Sequence, residues 1–432
     1  MSIPTVVAFT DTYLPTVNGV SYTIQTWRDH WRDRGGTMQI VYPAAEQYDS
    51  TTGEFSIHSL PFPLYDGFRL GLPLLPDELD MANIDVVHTH TPFALGLSGV
   101  RLARRADVPL IASYHTPTGE YADYLTSRPR VERVVSAIAN EYEHWFLSRA
   151  DAVICPTYDA RNRLRSSIDP DAKLTVISNG VDTDFFHPVD KSTTAAFCDK
   201  YNLPAGPLIG YTGRHGYEKN LSELLHAAAW IKHKQNGNSS TVESQTTAST
   251  EDNAQSTTAG EFDITLHSDD DSRHTQQELI DERNIDSLDV EPTVVFGGDG
   301  PAREDLEILA DELGLDVHFL GFLSREELPV FYSALDVFMF PSPVETQGLV
   351  ALEAIACGTP VVGVDAGALS STIDDGITGR HYQPDNPAAC GLKVIEVLTD
   401  HERFMNACLN HRSKLSVTRV VDDLLSLYRQ MT

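Results

Sequence analysis

The chain has 432 residues and a hydrophobic fraction of 41%, enough for two ordinary domains with real cores. Acidic residues number 62 against 32 basic ones, which gives a formal charge of -30 and a pI near 4.7. That balance excludes nucleic acid as a partner, because a phosphate backbone is bound through Lys and Arg, and it matches a halophilic protein working in concentrated salt.

The first predicted element is a strand, Thr5–Thr10, with neither a basic region nor a long apolar core ahead of it, so no signal peptide is expected. A turn-rich loop follows, Tyr13-Leu-Pro-Thr-Val-Asn18-Gly19-Val20, then a helix with Ile24, Trp27 and Trp31 on one side. Strand and helix patterns alternate from here on, which predicts a parallel α/β architecture. In open α/β sheets ligands sit beyond the C-terminal ends of strands, where a glycine lets backbone approach a phosphate. Gly19 is therefore a diphosphate candidate, with an ordinary turn glycine as the plain alternative. Two further strands end in Val86-Val-His88-Thr-His90 and Leu110-Ile-Ala-Ser-Tyr-His115. His88 and His90 share a face and suggest a metal pair, yet no third ligand has sensible spacing, so loop-shaping or acceptor-side roles are expected. His115 is a functional candidate by its place at a strand end. Gly119–Tyr124 should line a cleft, where Tyr121 and Tyr124 could stack on sugars or lipid headgroups. Val131, Val134, Val135, Ile138, Tyr142, Trp145 and Phe146 recur at helical spacing and are expected to face the core. Residues 101–173 hold eleven basic and ten acidic side chains. Arg101, Arg104, Arg105, Arg128, Arg130 and Arg133 could form a patch for an anionic membrane, but so small an excess favours solvated helix faces.

The segment Lys173-Leu-Thr-Val-Ile-Ser-Asn179-Gly180-Val-Asp182 reads as a strand, a tight turn and a connector. Asp182-Thr183-Asp184 mimics a metal-binding D-x-D, but its context makes it a capping connector. Leu208–Asn220 is a strand, a glycine turn at Gly213, two cations (Arg214 and Lys219) and a helix start, a set that suits a diphosphate. From 235 to 290 large apolar residues are scarce, and the window 235–291 carries fourteen acids against two bases, so a disordered surface insertion is expected. Pro292–Pro301 resumes the sheet and ends in Gly297-Gly-Asp-Gly300, which falls short of a dinucleotide fingerprint because Pro301 and Arg303 follow. Val317-His-Phe-Leu-Gly321-Phe322-Leu323 is the next strand and its exit loop.

Asp336–Ser342 leads into Glu345-Thr-Gln-Gly348-Leu349-Val350-Ala-Leu-Glu353-Ala-Ile-Ala-Cys-Gly358-Thr-Pro360-Val-Val362. This is a loop carrying a carboxylate, a helix, a left-handed stop at Gly358 and a buried strand. Glu345 and Glu353 lie about 12 Å apart if both ride on the helix, so they could grip the two ends of a nucleotide sugar through its hydroxyls. Two solvated glutamates are the plain alternative. A last helix is expected around Val417–Tyr428. The five cysteines are scattered with no C-x-x-C, which fits a reducing compartment, and no run is long enough to span a membrane.

The stretch 345–362 resembles the E-x7-E signature of family 4 glycosyltransferases, which have the two-domain GT-B fold and retain anomeric configuration. Thr10–Val20 is similar to their glycine loop, and 173–188 and 207–220 are similar to their connector and diphosphate segments. The resemblance implies two Rossmann-like domains with parallel sheets facing across a cleft: acceptor domain 1–188, linker 189–206, nucleotide-sugar domain 207–412, and 413–432 crossing back as a helix. It implies catalytic roles for His115 and Glu345. It assigns the donor to Gly19, Arg214, Lys219, Gly297, Phe322, Leu323, Gly348, Leu349, Val350 and Glu353, and the acceptor to Tyr121 and Tyr124. No cofactor and no metal are implied, since fixed cations take the place of Mg²⁺. The chain looks like enzymes that glycosylate membrane lipids, including diacylglycerol glucosyltransferases and phosphatidylinositol mannosyltransferases. A UDP- or GDP-sugar donor, a lipid or glycan acceptor and a cytoplasmic site touching the inner membrane face are therefore expected. A polysaccharide or small-molecule acceptor, or a silent nucleotide-sugar binder, stays open.

Overall fold

Runs of Val, Ile, Leu and Ala flanked by polar turns build two wholly parallel sheets, as expected of strands buried on both faces. The computed structural model describes residues 2–16, 18–45, 48–61, 69–79, 81–115, 129–243 and 291–432, without the side chains of 129–136 and 236–243.

The first domain contains β1 (Thr5–Phe9), β2 (Thr37–Pro43), β3 (Glu54–Ile57), β4 (Ser59–Pro61), β5 (Arg69–Gly71), β6 (Val86–Thr89), β7 (Leu110–Ser113), β8 (Ala152–Cys155) and β9 (Lys173–Val176). Seven of these form a sheet in the order β3-β2-β1-β6-β7-β8-β9, while β4 and β5 make a small antiparallel pair. The second domain holds β10 (Leu208–Thr212), β11 (Thr293–Gly297), β12 (Val317–Gly321), β13 (Val337–Phe340), β14 (Val361–Val364) and β15 (Gly379–Tyr382), in the order β12-β11-β10-β13-β14-β15. Strand order reverses between β1 and β6 in one sheet and between β10 and β13 in the other. Ligand crevices open at such reversals. The chain ends leaving these four strands are Thr10–Thr12, His90–Pro92, Gly213–Lys219 and Pro341–Glu345.

One face of the first sheet packs under helix Gly19–Asp33 and the last helix, Val417–Met431, through Trp27, Trp31, Val420, Val421, Leu424 and Tyr428. Each such side chain contributes about 1.5–3 kcal/mol by leaving water. The other face packs under helices Ala94–Ala106, Pro129–Leu147 and Tyr158–Ser167. The C-terminal helix therefore belongs to the core of the first domain, although the residues before it belong to the second. The chain passes between the domains at two places that are tied together. Val181 N–H donates to Leu415 O at 2.8 Å, and Val417 N–H donates to Val181 O at 2.9 Å. Gly180 has φ 73°, and a Cβ on it would lie 3.0 Å from Val417 Cα, so only glycine permits this crossing.

Three sequence readings differ from the structure. The expected linker 189–206 is mostly helix, Lys191–Tyr201, whose Phe197 packs edge-on to Phe331 of the second domain. The helix Leu221–Glu243 runs into the stretch expected to be unstructured from 235, and 244–290 lies outside the described residues. Ile138 and Trp145, expected to face the core, are 65% and 41% exposed, whereas Phe146 is buried. At helical spacing Ile138 and Trp145 share one edge of the helix, roughly a quarter turn from Phe146, and the side chains of Val131, Val134 and Val135 lie outside the described residues.

Candidate functional site

On the first-domain side, Asn18 caps the helix Gly19–Asp33 by accepting from Ser21 N–H at 2.9 Å, and its amide donates to Thr12 Oγ1 at 2.7 Å. Tyr13 anchors the same loop by donating to Glu54 Oε1 at 2.9 Å. Gly19 turns its bare face to the other domain, where a Cβ would lie 3.0 Å from Leu349 Cδ1. Asp11, at the end of β1, accepts from Leu95 N–H at 3.1 Å and from Thr91 Oγ1 at 2.8 Å, so its carboxylate caps helix Ala94–Ala106. Burial outweighs those bonds and pushes its carboxyl up to about 6.

Strand alternation places His88 and His90 of one chain segment, and Ser113 and His115 of the next, on the face under Trp27. His88 is fully buried, with Nδ1 2.7 Å from the Tyr428 hydroxyl and Nε2 2.8 Å from Ser113 Oγ. It is thus a core residue holding the last helix, which corrects the expected loop-shaping or acceptor-side role. His90 Nδ1 lies 3.0 Å from His115 Nε2, with the two rings stacked at 5.3 Å. Burial holds all three imidazoles neutral: His115 is pushed down to about 4, His88 to about 3, and His90 well below the usual range. A cavity of about 30 Å³ adjoins the pair, bounded by Thr12, Thr91, Ser113 and Glu143.

Across the cleft, Lys219 ends a 3-10 turn (Tyr217–Lys219) and donates from Nζ to Glu345 Oε1 at 2.6 Å. Arg214 lies 3.4 Å from Glu218 and is more open to solvent. The glycine loops behind them interlock. Gly213 N–H donates to Gly297 O at 3.2 Å, and a Cβ on Gly297 would meet Leu323 Cδ1 at 2.8 Å. Leu323 is buried in this contact, while Phe322 is 70% exposed after the left-handed Gly321. His215, which fills the space between the two loops, takes Asp299 O with its N–H at 2.9 Å.

Gly348 caps helix Leu349–Ala356 at φ 77°. Glu345 therefore precedes the helix, and helical rise does not set its distance from Glu353, contrary to the sequence estimate. Leu349 and Val350 open the helix at the cleft, partly buried. Glu353, one turn further on, is only partly exposed and accepts from the Tyr332 hydroxyl at 2.7 Å. Desolvation pushes its carboxyl up to about 7, against the hydrogen bond from Tyr332 and the nearby Arg325. The Arg325 guanidinium stacks 4.1 Å over Tyr22 of the opposite domain.

The structure thus brings Lys219 to Glu345, Gly19 to Leu349 and Gly297 to Leu323, and sets Glu353 apart beside Tyr332 and Arg325. Tyr121 and Tyr124 lie outside the described residues, as does Arg128. Arg101, Arg104 and Arg105 are exposed, the last two in the final turn of their helix, where positive charge offsets the dipole. Asp182 Oδ1 accepts from Asp184 and Phe185 N–H at 3.0 and 3.1 Å, a capping turn. Among the described residues no cluster of three His, Cys, Asp or Glu could hold a metal, and no helix is long and apolar enough to cross a membrane. Thr346, Gln347, Arg325, Tyr332 and Tyr428 were not singled out by sequence. For Tyr428 the apolar stripe of the last helix was the available signal.

A family model described as "Glycosyltransferase Family 4" matches residues 17–185, and one described as "Glycosyl transferases group 1" matches residues 277–413. The alpha-monoglucosyldiacylglycerol synthase of Streptococcus pneumoniae is 26% identical over 392 residues, 88% of this chain and 76% of its own. The D-inositol 3-phosphate glycosyltransferase of Nocardiopsis dassonvillei is 29% identical over 380 residues, 84% of this chain and 75% of its own. An Anabaena protein solved in complex with UDP superposes with a TM-score of 0.66 at 16% identity, covering 99% of this chain and 100% of that one.

Proposed function

We propose that this chain, a glycosyltransferase of the GT-B fold with a family 4 and a group 1 domain, moves a hexosyl group from a UDP- or GDP-sugar to a hydroxyl of a membrane lipid or lipid-linked glycan, retaining anomeric configuration. The observation that carries the reading is the Lys219–Glu345 pair at the strand reversal of the second domain, with the first domain's His115 beyond the cleft.

In this reading Lys219 and Arg214 face the donor diphosphate, with backbone around Gly19 completing the cradle. The Gly297 loop and the backbone at Phe322 and Leu323 hold the base, and Glu353 accepts hydrogen bonds from the ribose hydroxyls. Glu345 accepts from the transferred sugar. The bond from the anomeric carbon to the phosphate oxygen breaks with oxocarbenium-like character as the acceptor oxygen attacks the same face, and the leaving phosphate oxygen takes the acceptor's proton. His115 is neutral at physiological pH, so it offers a hydrogen bond rather than a charge. The lipid acceptor is supported by the names of the relatives, one a diacylglycerol glucoside synthase. Peripheral contact with the cytoplasmic membrane face is supported by exposed Ile138 and Trp145, with the Arg149 guanidinium 3.6 Å over the Trp145 ring.

The test is nucleoside-diphosphate release from a panel of UDP- and GDP-sugars in molar KCl, with and without membrane lipids, beside Glu353→Ala and His115→Ala. Lipid-dependent release from one donor, lost in both variants, is expected. Release that only a soluble glycan or small molecule supports would move the acceptor class, and tight donor binding without release would mark a silent binder.

A further inference from the structure

We propose that Thr346 and Gln347 are positioning residues that complete the site only when the domains close, by docking the peptide that carries Glu345 onto the strand ends that carry His115. Three consecutive side chains point to different partners. Glu345 turns to Lys219 of its own domain. Thr346 crosses the cleft: its hydroxyl donates to the His115 carbonyl at 2.5 Å, and its own carbonyl accepts from the Thr157 hydroxyl at 3.1 Å. Gln347 crosses too, accepting from Asn179 N–H at 3.0 Å and donating to Ser178 Oγ at 2.5 Å.

His115, Thr157 and Ser178–Asn179 follow β7, β8 and β9, so this one peptide lies across three neighbouring strand ends. Asn179 is itself fixed, because its carbonyl accepts from Trp27 Nε1 at 2.8 Å. Gln347 is 4% exposed, and a buried carboxamide is tolerated only with its donors and acceptors met. Every one of those partners lies in the first domain or its connector, so opening the cleft strips them away together. The side chains facing the donor, Arg214, Lys219 and Glu353, all lie in the second domain and keep their places without the clasp, and the first domain adds only backbone at Gly19. Closure and donor binding are therefore separable, and the clasp sets Glu345 against His115 rather than gripping the nucleotide.

The kinetic arm of the test rests on the transferase reading above, whereas the closure arm does not. Thr346→Val keeps the side-chain shape and removes the hydroxyl, and Thr346→Ser restores it. In Thr346→Val, kcat should fall about tenfold, the scale of one lost hydrogen bond, while donor affinity stays within about twofold. Thr346→Ser should recover most of that kcat. Gln347→Leu, checked for an unchanged circular-dichroism spectrum, should widen the ligand-free protein in small-angle scattering, with no substrate needed. Wild-type kcat in Thr346→Val, equal losses of kcat and donor affinity, or an unaltered scattering profile in folded Gln347→Leu would each overturn the clasp. A wild type that binds no nucleotide sugar would sink the transferase reading and leave the scattering arm to decide this one.

Discussion

Glu353 has a carboxyl raised to about 7 by desolvation, and it is the group proposed to accept the ribose hydroxyls. Only the carboxylate accepts from two vicinal hydroxyls, so donor affinity should follow its ionisation. With a midpoint at 7, about a tenth of the protein is ionised at pH 6 and about nine tenths at pH 8. The donor dissociation constant should therefore fall about tenfold between those pH values. The ligand must be a nucleotide sugar and not a free nucleoside diphosphate, because the bridged diphosphate keeps a constant charge over this range. Calorimetric titration at pH 6, 7 and 8 on wild type and Glu353→Gln makes the measurement. The wild type should show the slope, and Glu353→Gln should bind weakly and flatly. Equal slopes in both proteins, or none in either, would refute the assignment. The same shift has a stability consequence of fixed sign. Ionisation is penalised only in the folded state, so this group's contribution is present below about 4.5 and is lost as pH rises through about 7.

Three further outcomes are expected. Tyr428→Phe leaves a ring nitrogen of buried His88 without its partner and should cost about 1–3 kcal/mol in urea unfolding; an unchanged midpoint would remove the link between last helix and first sheet. His115 and His88 have folded values far below 6.5, so their contribution is full above that pH and drains away as pH falls toward about 4 for His115 and about 3 for His88; a melting temperature flat from pH 7 to 4.5 would contradict their burial. Lys219→Met should lower kcat/KM by about a hundredfold at an unchanged melting temperature, whereas a loss under about threefold would take Lys219 out of charge stabilisation.

The alternation of strands and helices, the glycine turns and the helix stop at Gly358 were legible because each is local, set by residues within a few positions of one another. The same holds for Gly348 at the head of its helix and for the Asx turn at Asp182. What escaped the sequence lies between distant segments. Lys219 and Glu345 are 126 positions apart, and His88 and Tyr428 are 340 apart. Nothing in Val-Val-His-Thr-His says that a helix from the far end of the chain will cover that face. Once it does, a pair that resembles metal ligands becomes two buried neutral imidazoles with separate partners, Tyr428 and Ser113 for His88 and His115 for His90. Thr346 and Gln347 were hidden for a related reason, since between Glu345 and the helix start their own neighbours explain them fully.

Burial also decides the sign of each contribution, and composition alone does not report it. The chain carries a charge of -30, yet the cleft is not an acidic hole. Glu345 is neutralised by Lys219, and Glu353 is held near its midpoint with Arg325 at hand. The first-domain wall contributes His90 and His115, imidazoles that carry no charge at pH 7. In the proposed reading a dianionic diphosphate meets Lys219 and Arg214 on one side and uncharged imidazoles on the other. Screening should therefore act on the surface more than on the site. Raising KCl to molar concentration should lift the melting temperature by relieving self-repulsion, since the Debye length shrinks to about 3 Å. Over the same range donor affinity should weaken far less than it would for an exposed charge pair. A melting temperature indifferent to KCl would show that the acidic surface is not under repulsive strain. A donor affinity that collapses with salt would show that Lys219 and Arg214 meet the diphosphate in open water.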